Sequence, residues 1–480
     1  MRQQKVCSWR DLHSCRGSMS ELIRAIGLRS AVLFVLGSVI GSGIFLTTGV
    51  MAAALPSTLL LLGAWTLGGV FALTGGLTYA EMGAMFPRSG GVYVFLREAW
   101  GPLPAFLYGW AALLVVVSGG IAAVAVGFAD YLSYFVPSLS PASVVWRVPV
   151  PWGTWTIAAG QLAGVVSLIV LGAINYVGVR SGNGVNVVMT AAKVGGLAAL
   201  PLLAIAAPRV TPAWTPIVPA VPHPAAAFGV AMIAVLWTYE AWYFVTYAAG
   251  EIREPERNVP RALVIGILAL AAIYISVNVS YFYALRLDEM AGVARIAERS
   301  AAALVGPRGA TFVALTVVVS TFGCNAAAIL AGSRLLFAMA EDGVFLPAAG
   351  AVHPRYRTPH VAIVALTLWS IVLTLSGTYE QLFTYVMFAS ILFSVFCGLA
   401  LFRLRRTRPD QPRPYHAWGY PVVPALFVIG SIAFVVNTLI ERPVESISGL
   451  GLLAIGLPVY FYWRRAAGGR GATPDRISHG

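Results

Sequence analysis

The fold is decided by the stretch Gly37-Ser38-Val39-Ile40-Gly41-Ser42-Gly43-Ile44-Phe45, which lies in the middle of a long apolar segment. A helix needs roughly 20 mostly apolar residues to cross a hydrocarbon core of about 30 Å, and this segment is long enough. Glycine weakens a helix because its backbone loses the most conformational freedom on folding. The stretch therefore predicts a membrane helix that unwinds near its midpoint, at Gly41-Ser42-Gly43.

An unwound turn at this point would expose backbone N–H groups and the N-terminus of a half-helix. Both favour a negative charge, so Gly41, Ser42 and Gly43 form a candidate site for a carboxylate. The alternative is close helix packing, because Gly37 and Gly41 have the spacing of small-xxx-small contacts between membrane helices. The motif alone leaves both interpretations open.

A second interruption lies in the stretch Ala234-Val235-Leu236-Trp237-Thr238-Tyr239-Glu240-Ala241-Trp242, where a carboxylate falls inside an apolar segment. An ionisable group at this depth is costly and marks a functional site by default. Glu240 could instead be buried in its protonated form or paired within the helix bundle, and Trp237 could be an ordinary core aromatic. Interruptions in the first helix of each half are typical of inverted-repeat transporters, which bind substrate at the bilayer midplane.

Composition places the chain in a membrane, since 58% of its 480 residues are hydrophobic, 11% are charged and the mean hydropathy is +0.79. The apolar segments lack the period-two alternation of outer-membrane strands, so we predict an all-α membrane protein. We predict twelve spans, at 31–54, 59–84, 103–136, 158–177, 184–207, 226–249, 261–287, 308–338, 359–376, 380–402, 420–440 and 446–464.

The net charge of +13 is explained by membrane orientation rather than by nucleic acid, which we do not expect as a partner. Most of the 32 basic residues fall in the tails and loops that share one side of the membrane if the N-terminus is inside. Basic residues mark the cytoplasmic side. We therefore expect a multi-pass protein of a bacterial cytoplasmic membrane, with tails 1–30 and 465–480 both in the cytoplasm.

The loops are too short for an independent soluble core, so the spans form one membrane domain. The four cysteines and six histidines show no metal-ligand spacing, and we expect neither a metal nor a cofactor. A membrane-embedded enzyme would need a set of catalytic groups at one depth, which is absent from the sequence pattern. The chain is therefore not expected to be an enzyme.

Lys193 is one of two lysines in a chain whose other basic residues are arginines. It lies about ten residues into the fifth predicted span, roughly 15 Å deep at the 1.5 Å rise of a helix. An ammonium at that depth must find carbonyl or hydroxyl partners or lose its proton. The alternative, a side chain that extends to the membrane surface, is disfavoured by this depth.

Short motifs along nearly the whole chain resemble those of the L-type amino-acid transporters and their bacterial relatives, in the amino acid-polyamine-organocation superfamily. Each motif is weak alone, but their order and spacing are specific. They are Gly41-Ser42-Gly43-Ile44-Phe45, Tyr79-Ala80-Glu81-Met82-Gly83, Pro87-Arg88-Ser89-Gly90-Gly91-Val92-Tyr93, Gly250-Glu251-Ile252-Arg253-Glu254-Pro255, Asn258-Val259-Pro260-Arg261-Ala262, Ser320-Thr321-Phe322-Gly323, Gly332-Ser333-Arg334, Asp342-Gly343 and Gly419-Tyr420-Pro421.

The resemblance implies the five-plus-five inverted-repeat fold of the LeuT type. Its halves would be 31–207 and 226–402, and 420–464 would form two peripheral helices. It also implies that the substrate carboxylate meets the backbone of Gly41, Ser42 and Gly43.

The same resemblance implies roles for other residues. The substrate α-ammonium would meet carbonyls that match Val39, Trp237 and Glu240, and the Trp237 ring would close over the substrate. Lys193 matches the lysine whose ammonium replaces a sodium ion, with Ser320 as its partner on the eighth span. Transport would then not require sodium.

We therefore predict secondary active transport of small or neutral amino acids by alternating access, as exchange or proton-linked uptake. A nutrient sensor built on the carrier fold, and a carrier of cationic amino acids or polyamines, are the alternatives. Relatives commonly have a small residue or Asp and then Gly where this chain has Glu240-Ala241, which puts the shape of the side-chain pocket in doubt. The outer loop from Pro137 to Trp155 has no cysteine, so we expect amino-acid substrate and membrane lipid as partners but no disulfide-linked accessory subunit.

Overall fold

The computed structural model describes residues 24–55, 57–140, 142–150, 153–214 and 224–468. Most of the two predicted tails and part of the Pro-rich loop at 208–224 lie outside these residues. The helices are α1 Leu28–Val39, α2 Gly43–Ala54, α3 Thr58–Met85, α4 Val92–Trp100, α5 Pro102–Leu132, α6 Ala159–Val177, α7 Val179–Ala206, α8 Pro224–Tyr239, α9 Phe244–Tyr247, α10 Pro255–Ala284, α11 Leu287–Met290, α12 Ile296–Val305, α13 Pro307–Glu341, α14 His360–Ser376, α15 Tyr379–Thr407, α16 Val422–Glu441 and α17 Pro443–Gly468.

The described part of the chain contains nine helices long and apolar enough to cross a membrane, or ten if the bent pair α1 and α2 counts as one span. The sixth and ninth predicted spans correspond to shorter apolar helices, in α8 and α14. A multi-pass, mostly helical membrane protein is therefore confirmed, and the number twelve stays a prediction.

Two helices are interrupted, at the positions where the sequence carries its unusual chemistry. The first breaks at Ile40-Gly41-Ser42, and the axes of α1 and α2 differ in direction by 40°. The second breaks at Glu240-Ala241-Trp242-Tyr243, between α8 and α9. Ala241 has a φ of +72°, in the left-handed region that favours glycine, which costs an alanine roughly 1–2 kcal/mol.

Helix α1 lies at the centre of the bundle, where it packs against α7, α10 and α13. Glycine permits the close approach of α7, because a Cβ on Gly37 would lie 2.6 Å from Thr190 Oγ1. The packing interpretation is therefore correct for Gly37, whereas Gly41 lies in the break itself. The motif therefore combines a packing contact at Gly37 with a helix break at Gly41.

A β-hairpin and three short helices were not predicted. Strands β1 (Val144–Val150) and β2 (Gly153–Ala158) pair antiparallel in a loop region that contains several valines and tryptophans, which favour strands. Trp155 Nε1 donates to the Leu375 carbonyl at 2.8 Å and fixes the hairpin to α14. The hairpin and the helices α4, α11 and α12 are all shorter than a membrane span, so a prediction based on segments of membrane length does not include them. We call the side of the bundle with β1 and β2 the hairpin face, and the opposite side, with Arg88 and Arg405, the arginine face.

Candidate functional site

The two helix breaks face one small cavity of about 50 Å³. Its walls come from α1 and α2, from α5, from α8 and α9, and from α13 and α15. The structure brings together here six residues that the sequence analysis selected from two distant segments: Val39, Gly41, Ser42, Gly43, Trp237 and Glu240. The cavity is therefore the candidate substrate site.

The start of α2 presents backbone donors to this cavity. Helix α2 begins at Gly43, and the Ser42 side chain does not cap it. The first N–H groups of a helix have no partner within the helix, so they are available to an anion. A Cβ at Gly43 would lie 2.9 Å from the Cβ and 3.0 Å from the Cα of Thr238, so only glycine allows α2 to approach α8 this closely.

The carbonyls predicted to meet an ammonium are partly engaged by the protein. The Val39 carbonyl accepts from the Gly41 N–H at 2.7 Å and from Tyr274 Oη at 3.3 Å. The Trp237 carbonyl accepts from the Glu240 N–H at 3.1 Å and, having two lone pairs, retains one for a ligand. Tyr274, on α10, also contacts the Thr238 carbonyl at 3.1 Å and so links the two breaks.

Lys193 is fully buried, which excludes the surface-reaching alternative. Its Nζ donates to the carbonyls of Gly37 and Ile40 at 2.8 Å each and to that of Ser320 at 3.3 Å. These contacts use all three donors of the ammonium and join α7 to the break in α1 and to α13. Ser320 contributes its carbonyl to Lys193, while its hydroxyl donates to the Ile40 carbonyl at 3.0 Å.

Glu240 lines the cavity and is also held by its neighbours. Tyr243 Oη donates to Glu240 Oε1 at 2.5 Å, and Ser390 Oγ donates to the same oxygen. Because Ser390 belongs to α15, this carboxylate connects the unwound segment to another helix. The contacts agree with the interpretation of Glu240 as a group paired within the bundle, but its place in the cavity also keeps a functional role open.

A thin layer of side chains separates the cavity from a wide vestibule of about 680 Å³ on the hairpin face. Tyr379 Oη accepts from Ser42 Oγ at 3.0 Å and from Trp237 Nε1 at 2.8 Å. The Trp237 ring stacks on Phe383, with centroids 5.8 Å apart. Sequence reasoning selected Trp237 but missed Tyr379, which begins α15 and carries no local signal of its function.

The arginine face is closed by a thicker barrier. Tyr243 packs on Phe244 and Tyr247 below the cavity, and Tyr247 Oη contacts Tyr108 Oη. Further along, Arg334 Nε contacts Glu251 Oε1 at 2.7 Å, and both side chains are 1% exposed. The described conformation is therefore closed on the arginine face and nearly open on the hairpin face.

The apolar helices, the paired breaks and the cavity between them define the class of multi-pass membrane proteins that have a site between interrupted helices. The chain belongs to the amino acid permease family, whose profile matches residues 26–457. This places it in the amino acid-polyamine-organocation superfamily and confirms the resemblance seen in the motifs.

Three relatives illustrate what the chain is similar to. It is 31% identical to the serine/threonine exchanger SteT of Bacillus subtilis (strain 168), over 92% of this chain and 97% of that protein. It is 28% identical to the human b(0,+)-type amino acid transporter 1, over 94% and 90% of the two chains. It is 29% identical to the human large neutral amino acids transporter small subunit 2, over 92% and 81%. These relatives are amino acid transporters, not enzymes, and support amino-acid transport by this chain.

Proposed function

We propose that this protein exchanges small neutral amino acids across a bacterial cytoplasmic membrane by alternating access, without sodium. The observation that carries the proposal is that the breaks of two helices face the same cavity. It offers helix N–H groups for a carboxylate and carbonyls for an ammonium, which are the two charges that every α-amino acid carries.

The proposed architecture is a five-plus-five inverted repeat, 31–207 and 226–402, with helices within 420–464 at the periphery and both tails in the cytoplasm. Support comes from the positions of the breaks, since α1 and α8 each open one half of the chain and each stop at the cavity. The hairpin face would then be external. Only a thin layer, Trp237 and Tyr379, would cover the cavity on the external side, whereas a thick barrier closes the internal side. This arrangement corresponds to an outward-facing state in which the cavity is still covered.

The substrate would lie with its carboxylate at the break between α1 and α2, on the backbone of Gly41, Ser42 and Gly43. Its ammonium would face the Trp237 carbonyl, the adjoining Glu240, and the Val39 carbonyl once Tyr274 releases it. A cavity of about 50 Å³ favours a small side chain. The name of the relative SteT, a serine/threonine exchanger, agrees with a small substrate.

Sodium independence follows from the charge that Lys193 supplies. A cation site between α1, α7 and α13 would need carbonyl ligands, and the Lys193 ammonium already binds three of them, with Ser320 as one partner. A sodium ion would have to displace this buried charge.

We expect uptake of labelled serine into proteoliposomes to stay within about twofold when choline replaces sodium. We also expect it to rise about tenfold or more when the vesicles contain unlabelled serine, because an exchanger returns to its outward state fastest when loaded. The measurement is the initial uptake rate in the four combinations of cation and internal amino acid. Loss of uptake in choline would contradict the role of Lys193, and uptake independent of internal serine would contradict exchange.

Proton-linked uptake is the second candidate, and Glu240 favours it because a carboxylate in the cavity is suitably placed to carry a proton. If protons are coupled, uptake into empty vesicles rises as external pH falls, and Glu240→Gln flattens this rise without changing the order of substrates. If Glu240 instead pairs with cationic substrates, Glu240→Gln shifts the preference toward neutral ones. For exchange alone we expect neither effect, and a panel of competing amino acids at pH 6 and pH 8 separates the three outcomes.

A further inference from the structure

One polar side chain of the cavity has a buried atom without a partner, and the proposed binding of the α-carboxylate and α-ammonium does not use it. Asn325, on α13, lines the cavity and is 1% exposed. Its Oδ1 has no hydrogen-bond partner in the part of the chain that the structure describes. A buried amide oxygen without a partner is unfavourable, and such atoms in native proteins call for an explanation.

The other polar side chains of the cavity have partners within the protein. Each hydroxyl, thiol or carboxyl group there donates to or accepts from a neighbouring residue. The pairs are Ser38 Oγ with the Phe34 carbonyl at 2.7 Å, Ser42 Oγ with Tyr379 Oη at 3.0 Å, Thr238 Oγ1 with the Ala234 carbonyl at 2.8 Å, Tyr243 Oη with Glu240 Oε1 at 2.5 Å and Cys324 Sγ with the Ser38 carbonyl at 3.1 Å. Among the polar atoms of the cavity lining, Asn325 Oδ1 is therefore the one that is buried without a partner in the described part of the chain.

The surroundings of Asn325 indicate which part of a substrate it would meet. The α5 wall of the cavity is apolar, with Val116, Val117 and Ile121, and Ala328 and Val386 continue it on α13 and α15. In the proposed binding mode, the α-carboxylate and α-ammonium of the substrate contact the backbone of the two breaks. The side chain of the substrate would therefore contact this apolar wall and Asn325. The amide of asparagine donates hydrogen bonds through its NH2 group and accepts them at its oxygen. A hydroxyl group also has one donor and two lone pairs, so it can pair with either end of the amide.

We infer that Asn325 selects amino acids with a hydroxyl on the side chain, by hydrogen-bonding that hydroxyl within an otherwise apolar pocket. The inference rests on the proposed function and refines its substrate class. A site that pairs a buried polar group with a substrate hydroxyl rejects the analogue that lacks it, because the group is then left unpaired.

The test is a competition assay in proteoliposomes with labelled alanine as the common substrate. Threonine and valine form the shape-matched pair of competitors, because a methyl group in valine takes the place of the threonine hydroxyl. Serine and alanine form a second pair, in which alanine lacks the hydroxyl and leaves its place empty. For the wild type we expect threonine to inhibit about tenfold more strongly than valine. Asn325→Leu, which keeps the side-chain size, should bring this ratio to within about twofold, with each inhibition measured against the alanine uptake of the same variant.

Asn437 on α16 provides the matched control, because its Nδ2 is also buried without a partner but lies outside the lining of the cavity. Asn437→Leu should leave the threonine-to-valine ratio unchanged. If Asn325→Leu does not fold, Asn325→Ser is measured instead and should give an intermediate ratio. A wild-type ratio near one, or a ratio that Asn325 substitutions do not change, overturns the inference. Failure of the proposed function is a different result, in which the wild type takes up no labelled amino acid at all.

Discussion

Lys193→Ala should lower amino-acid exchange by about 100-fold or more while the protein still reaches the membrane. Removal of the ammonium leaves the carbonyls of Gly37, Ile40 and Ser320 without their shared donor, at a cost of about 1 to 3 kcal/mol for each unsatisfied buried group. Two of these carbonyls belong to the end of α1, beside the turn that would bind the substrate carboxylate. The geometry of that turn should therefore be lost. Initial exchange rates, normalised to the amount of protein in the vesicles, measure the effect.

Leu202→Ala is the control on the same helix, because Leu202 is 67% exposed and lies outside the cavity. It should exchange at the wild-type rate. Lys193→Met separates charge from volume, since methionine fills similar space without donating hydrogen bonds, and it should be as defective as alanine. Near-normal exchange by Lys193→Met would show that the ammonium does not hold the break together.

Gly43→Val should abolish binding of every amino-acid substrate alike, whatever its side chain. The added Cβ would lie 2.9 Å from the Cβ and 3.0 Å from the Cα of Thr238, so α2 would have to move away from α8. That movement displaces the first turn of α2, which supplies the donors for the carboxylate that all substrates share. Equilibrium binding of labelled serine, alanine and leucine to purified protein measures the loss.

Gly63→Val is the matched control, because a Cβ at Gly63 in α3 meets nothing within 4 Å. It should bind all three amino acids as the wild type does. Gly41→Val should resemble Gly43→Val, since its Cβ would approach Cys324 Sγ at 3.0 Å. If Gly43→Val lost one substrate and kept another, the turn would contact the side chain rather than the carboxylate.

The positions of the membrane helices could be predicted because lipid imposes a local rule. Each span must be apolar for about 20 residues and must satisfy its backbone hydrogen bonds within itself, so a window on the sequence is sufficient. The predicted spans 59–84 and 158–177 correspond closely to α3, Thr58–Met85, and α6, Ala159–Val177. The breaks in spans 1 and 6 could also be predicted from local sequence. Two glycines near the middle of span 1 and a carboxylate within span 6 are unusual in an apolar segment.

Residues whose function depends on distant partners could not be predicted in the same way. Tyr274, Tyr379, Ser390 and Asn325 are ordinary residues for a membrane helix, and only their contacts distinguish them. Tyr379 is 337 residues from Ser42 in the chain, yet the two hydroxyls are 3.0 Å apart. The hairpin of β1 and β2 could not be predicted from membrane-length segments, because strand pairing is a property of two segments together.

Local features of the sequence were sufficient to identify a multi-pass helical membrane protein, its two interrupted helices and the depth of Lys193 within a span. These properties depend on the local match between side chains and lipid. Only the packing of the helices shows that Lys193 bridges α1 and α13, that Glu240 is held by Tyr243 and Ser390, and that Asn325 Oδ1 has no partner among the described residues. Hydrogen bonds extend only about 3 Å, so whether a polar group in lipid is paired or free depends on which helices the fold brings together.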